Sequence, residues 1–221
     1  DSSHVGILHS NVARPGWHGL TNERVGAMDD TAPELHIEDT DFGYHYAAFR
    51  KDPDGGPDNV RIVPFFMPSG RIIPGGQLQG ENNQTIIFEV PMDDEHTATY
   101  SVRYGTRPIP RDTRLRETGF DDTDMYSVKE QRFLWTRADL HLQKRDQMNH
   151  NWSGFRGIAL EDAVIGTSMG PIQDRTKEHL IASDLAVVRF RRRLMESLTQ
   201  MERGGDPIGV AFAEKDATVT V

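Results

Sequence analysis

Thr85-Ile86-Ile87-Phe88-Glu89-Val90, then a polar Asp93-Asp94-Glu95-His96, then Thr97-Ala98-Thr99-Tyr100-Ser101-Val102-Arg103-Tyr104, is the passage that decides the fold. Both arms are rich in β-branched and aromatic residues, which suit a pleated surface, and the short polar turn folds them back as an antiparallel hairpin. Upstream, Pro68-Ser69-Gly70 turns the chain into Arg71-Ile72-Ile73, and a further β-rich run covers Val60 to Met67. Before that comes Asp52-Pro53-Asp54-Gly55-Gly56-Pro57, where proline fixes φ and glycine permits positive φ, so it reads as a turn cluster. Earlier still, Phe42, Tyr44, Tyr46 and Ala48 alternate with His45, Ala47 and Phe49, the period of a strand. The middle of the chain is predicted to be an antiparallel meander, with no βαβ units and no internal repeat.

Downstream the period changes. Arg107 to Thr123 is rich in proline and charge and is expected to form a long surface loop. Glu130 to Met148 has the propensity of one helix or two short ones. The last helix is marked by Ser183 as N-cap, by Val187, Phe190, Leu194, Leu198 and Met201 at three- and four-residue steps, and by the stop Gly204-Gly205. Arg191-Arg192-Arg193 then falls on a solvated helix face with one member at the edge of the core. At the other end, Asp1-Ser2-Ser3-His4 has the look of a helix opening, cut from inside a longer protein, and Gly16 to Pro33 reads as loop.

The 221 residues suffice for one large domain, expected to span 1–221. Lys and Arg number 25 against 34 Asp and Glu, a formal charge of -9, so a phosphate backbone meets net repulsion and nucleic acid is not an expected partner. There is no cysteine, which removes disulfides, thiolate metal sites and thiol nucleophiles and leaves His, Asp and Glu to hold a transition metal. No apolar run approaches the ~20 residues that span a bilayer, so no membrane partner is expected, and a cytoplasmic location agrees with the missing cysteine.

His4 and His9 are the first candidates for chemistry, because imidazole is the usual ligand of iron and zinc and two that are close in sequence converge at small entropic cost. A five-residue step turns the second side chain about 140° from the first on a regular helix, so convergence requires the helix to bend or end near Gly6. Nine histidines in one chain also produce such spacings without a metal. Oxygen activation by non-heme Fe(II) needs two His and one carboxylate on one face, and composition alone does not choose the third ligand among 34 acids.

Gly157-Ile158-Ala159-Leu160-Glu161-Asp162, then Ser168-Met169-Gly170-Pro171-Ile172-Gln173-Asp174-Arg175-Thr176 and Glu178-His179-Leu180, resembles the C-terminal signature of the phthalate 4,5-dioxygenase-like Rieske oxygenases. Asp1-x-x-His4-x-x-x-x-His9 matches that family's ligand motif, and the two together cover nearly the whole chain. The resemblance implies a helix-grip α+β fold, a curved antiparallel sheet packed against helices around a substrate cavity. It also implies a mononuclear Fe(II) held by His4, His9 and Asp162, with Glu161 as the competing acid, and a role for Asp1 in relaying electrons and orienting a ligand histidine. The expected partners are O2, an aromatic substrate, and an NAD(P)H-dependent reductase acting through a Rieske [2Fe-2S] centre, in a homotrimer or stacked trimers. That cluster needs cysteines, so its N-terminal domain is expected to be absent from this chain.

Arg50 and Arg71 are candidate anchors for a carboxylated substrate, since a guanidinium grips a carboxylate through two parallel hydrogen bonds, although a strand-end arginine such as Arg50 is commonly solvated. His36 and His45 read as ordinary strand residues. Gly166-Thr167-Ser168-Met169-Gly170 fits a nucleophile elbow, but Ala159 to Ile165 reads as helix where the elbow needs a strand. The alternative function is a helix-grip ligand-binding module without redox activity.

Overall fold

The strand-rich middle folds as expected into a six-stranded antiparallel meander: β1 (Glu34–Thr40), β2 (Gly43–Arg50), β3 (Asn59–Phe66), β4 (Gly70–Pro74), β5 (Gln84–Pro91) and β6 (Thr97–Tyr104), each paired with its neighbour in sequence. The computed structural model describes residues 3–9, 30–52, 55–74, 84–105, 108, 110–149 and 152–210. Most of the 16–33 loop and Pro53-Asp54 of the turn cluster lie outside them. The chain divides into two compact units, one of Asp1–Ser3, Ala32–Arg107 and Lys177–Val221, the other of His4–Thr31 and Pro108–Thr176.

The first unit is α+β, a curved antiparallel sheet with one long helix, as in a helix-grip fold. Alternation along β2 buries Tyr44, Tyr46 and Ala48, and these join Val63 to form the core against Ala186 and Phe190 of α4 (Leu185–Glu202). Phe65 links the layers, stacked on Tyr44 at 5.2 Å and tilted against Phe190 at 4.9 Å. The opposite face of the sheet exposes Val60, Ile62, Phe88, Val90, Tyr100, Val102 and Tyr104.

Two details of α4 differ from expectation. A single 3-10 turn, Ala182–Asp184, precedes the helix, and the Asp184 carboxylate accepts the Ile181 N–H at 2.9 Å, so Ser183 is not the cap. The inward stripe is Ala186, Phe190, Arg193 and Ser197, while Leu198 and Met201 are exposed. The stripe is rotated because polar groups on it find partners. Arg193 donates to the carbonyls of Gly43 and Thr40 at 3.1 and 2.9 Å, and the Ser197 hydroxyl accepts the Ile208 N–H. Arg191 grips Glu178 through two bonds of 2.5 and 2.7 Å, leaving Arg192 on the solvated face. Gly204, at φ 80°, ends the helix as its sequence implies.

In the second unit, the stretch expected as a loop up to Thr123 contains a helix. Residues Arg111–Thr118 form α2, preceded by Pro110 and closed by Gly119 in the left-handed conformation at φ 84°. Asp112 in the first turn and Arg116 in the last complement the helix dipole, a signal masked by the surrounding prolines. Residues 130–148 hold no α-helix. They hold the short strand β8 (Arg132–Phe133), paired with β7 (Tyr126–Ser127), and two single 3-10 turns. Gln131, Leu140, His141 and Leu142 all have φ between 53° and 57°, and the Asp139 carboxylate binds the N–H and hydroxyl of Thr136 at 2.9 Å, which diverts the backbone from a helical ladder.

Helix α3 (Ile158–Ser168) forms where the sequence places one. Leu160, with no exposed surface, packs among Met125, Trp135 and Phe155, and Phe133 stacks on Trp135 at 4.3 Å. At Gly119 and Gly157 the end of α2 meets the start of α3 backbone to backbone. A Cβ on Gly157, at φ 108°, would overlap the Gly119 nitrogen.

Candidate metal centre

The second unit brings His4, His9 and Asp162 together. Helix α1 is short, His4–Leu8, and His9 lies in the turn after it. The difficulty of the five-residue step is thus resolved by the helix ending at Leu8, not by a bend at Gly6. The two rings meet edge to face with centroids 5.2 Å apart.

The acids come from the first turn of α3, where consecutive side chains point about 100° apart, so one can enter the core while the next faces out. Glu161 is the inward one, 1 % exposed, whereas the Asp162 side chain is 51 % exposed. Between them lies the buried ring of His9, with Nδ1 2.7 Å from Glu161 Oε2 and Nε2 3.0 Å from Asp162 Oδ1. His4 Nε2 is 3.6 Å from the same Asp162 oxygen, and one donor atom from each of His4, His9 and Asp162 falls within 4.8 Å of the others. This is the only such cluster of three among the described residues.

Burial of His9 opposes its charge, but hydrogen bonds and Coulomb attraction from Asp162 and Glu161 outweigh it and raise its pKa from 6.5 to about 9. In the metal-free chain the imidazolium therefore bridges two carboxylates at neutral pH. A cation entering the cluster takes over the role of that proton. Two imidazole nitrogens and a carboxylate oxygen suit a borderline first-row metal such as ferrous iron, and the separations of 3.0 and 3.6 Å match neighbouring ligands on an ion with bonds of about 2.1 Å.

The remaining sequence candidates are not gathered here. Asp1 lies outside the described residues. Arg50, at the end of β2 in the first unit, is 2 % exposed and so is not the solvated strand-end arginine its position suggested. Arg71 is bound to Glu89 at 2.8 Å. His36 and His45 pair with Glu34 and Glu38 along the sheet. Ser168 ends α3 with its hydroxyl on the Ile165 carbonyl, and no strand precedes it, so the nucleophile-elbow geometry is absent. Sequence reasoning treated Glu161 only as a rival ligand and passed over Ser153, whose hydroxyl donates to Glu161 Oε1 at 2.6 Å.

Comparison with known proteins follows the same lines. The protein family described as LigXa C-terminal domain like matches residues 1–220. The chain is 33% identical to the phthalate 4,5-dioxygenase oxygenase subunit of Pseudomonas putida, over 95% of this chain and 48% of that protein. It is 32% identical to the 3-chlorobenzoate-3,4-dioxygenase oxygenase subunit of Comamonas testosteroni, over 96% of this chain and 50% of the relative. With the phenoxybenzoate dioxygenase subunit alpha of Ectopseudomonas oleovorans it shares 28% identity, over 100% of this chain and 46% of the relative. The chain thus spans about half the length of the curated relatives it matches.

Proposed function

Because the chain belongs to the LigXa C-terminal domain-like family, we propose that it is the mononuclear-iron catalytic half of a Rieske-type oxygenase that inserts oxygen from O2 into an aromatic substrate. The observation that carries this reading is the convergence of His4, His9 and Asp162 donor atoms within 4.8 Å. These three residues would hold Fe(II). When bound, the metal supplies dioxygen activation, since three protein ligands leave coordination positions open.

The chain's own residues then have separable tasks. Buried His9 fixes one side of the pocket, and the half-exposed pair His4 and Asp162 forms the side that exchanges with solvent. Asp1 is the proposed electron-relaying acid. Arg50, buried at the end of β2, and Arg71, bound to Glu89, are the two candidate anchors for a carboxylated ring. The relatives' names, which include phthalate and 3-chlorobenzoate, support such a substrate class.

Reducing equivalents would come from cytoplasmic NAD(P)H through a reductase and a [2Fe-2S] Rieske centre on a cysteine-bearing domain outside these residues, with assembly as a homotrimer or stacked trimers. No helix among the described residues is long and apolar enough to cross a membrane. The non-redox binding module is not favoured, since the relatives are oxygenase subunits.

The test is metal analysis of the chain loaded anaerobically with ferrous iron. Near-stoichiometric iron in the parent, lost in His4→Ala, His9→Ala and Asp162→Ala, is the expected result; equal iron in all four proteins would overturn the reading.

A further inference from the structure

A carboxylate with no exposed side-chain surface has to be compensated at both oxygens, because an uncompensated buried charge is strongly destabilising. Glu161 meets this requirement with two short bonds. Its Oε2 accepts the Nδ1–H of His9 at 2.7 Å, and its Oε1 accepts the hydroxyl of Ser153 at 2.6 Å. The Ser153 oxygen in turn accepts the Phe155 N–H at 3.2 Å, and its proton goes to the closer partner, Glu161, in preference to the Phe155 carbonyl at 3.2 Å. Backbone, hydroxyl, carboxylate and imidazole thus form one hydrogen-bonded chain from the core to the cluster, in which Ser153 and His9 both donate toward Glu161.

The direction of that chain matters. An imidazole offers either nitrogen to a metal, and the nitrogen that is left carries the proton. With Nδ1–H committed to Glu161, only Nε2 faces Asp162, and the ring can neither flip nor present the other tautomer without stranding a buried carboxylate. We propose that Glu161, braced by Ser153, is a positioning residue that locks His9 with Nε2 aimed into the metal pocket. This rests on the iron-site reading above. Such an acceptor also raises the basicity of the ligand, and loss of a partner of this kind costs 10- to 100-fold in metal affinity.

The experiment uses the 221-residue chain and two readouts. In the metal-free protein at neutral pH, the Nδ1 proton of His9 is expected as a slowly exchanging, downfield proton resonance, which Glu161→Gln removes. In anaerobic chelator-competition titrations with Fe(II), Glu161→Gln is expected to bind roughly 10- to 100-fold more weakly. Ser153→Ala should show a smaller loss that Ser153→Thr, keeping the hydroxyl, restores. A buried-polar defect alone would not be rescued in this pattern. Should Glu161→Gln fail to fold, the Ser153 pair carries the test by the same readouts.

The proposal is overturned if the resonance and the iron affinity survive Glu161→Gln, or if Ser153→Ala and Ser153→Thr behave alike. A parent chain that shows the resonance but takes up no iron would instead overturn the iron-site reading and leave the Glu161–His9 lock standing.

Discussion

The sheet unit and the site unit hold themselves together by different means. Between β1 and β6 every strand is bonded to its sequence neighbour, so register is enforced many times over and no single residue decides it. The site unit has a two-residue strand pair, short helical turns and, among its described residues, four non-glycine positions at positive φ, and it depends on a few points: the glycine contact between α2 and α3, the aromatic stack around Trp135, and the Glu161 lock on His9. Redundancy suits a scaffold. The proposed metal pocket is built from single contacts, and single substitutions should expose the difference.

The largest effect is expected at the cluster itself. His9→Ala or Asp162→Ala should abolish stoichiometric iron by elemental analysis while the melting of the sheet unit, followed by circular dichroism, stays intact; loss of both together would erase the distinction between the units. Next, Leu160→Ala removes a side chain with no exposed surface and should cost about 3–4 kcal/mol in urea unfolding. An exposed apolar residue of the sheet, Val102→Ala, should cost less than about 1 kcal/mol.

A smaller effect should appear with pH. The folded-state pKa of His9 is raised from 6.5 to about 9, so its contribution to the stability of the metal-free chain is fully present below 6.5 and lost as pH rises through about 9. The loss is on the order of 2–3 kcal/mol and should vanish in His9→Ala. A melting temperature in the parent that is flat from pH 6 to 10 would contradict the double carboxylate environment. The smallest effect is Arg192→Ala, whose exposed pairing with Glu196 should be worth under about 0.5 kcal/mol.

This contrast also governs what was legible in the sequence. Alternation is a repeating signal, and the meander could be read from β2, where burial follows the pleat, and from the β-branched and aromatic arms of the β5–β6 hairpin, which pair in register. In the site unit, Leu140, His141 and Leu142 carry good helical propensity, yet their conformation is set by the Asp139 side chain and by packing against Trp135, which no local pattern encodes. The ligand pair His4 and His9 was visible as a spacing, whereas Asp162 came only from resemblance, since two adjacent acids look alike until a helix turns one inward. The signal for Glu161 was present in weak form: an acid that falls on the apolar side of α3 next to Leu160 must have a buried partner.

The span between the two halves of the cluster has a consequence for persistence. His9 and Glu161 stand 152 positions apart, so an ion held by His4, His9 and Asp162 would fasten the opening segment to α3 across a very long loop. A clasp of that span restricts the unfolded chain far more than a local cross-link does. Iron starvation should therefore act first as slackening, with the opening segment becoming the preferred point of attack for proteases before any catalytic step is considered.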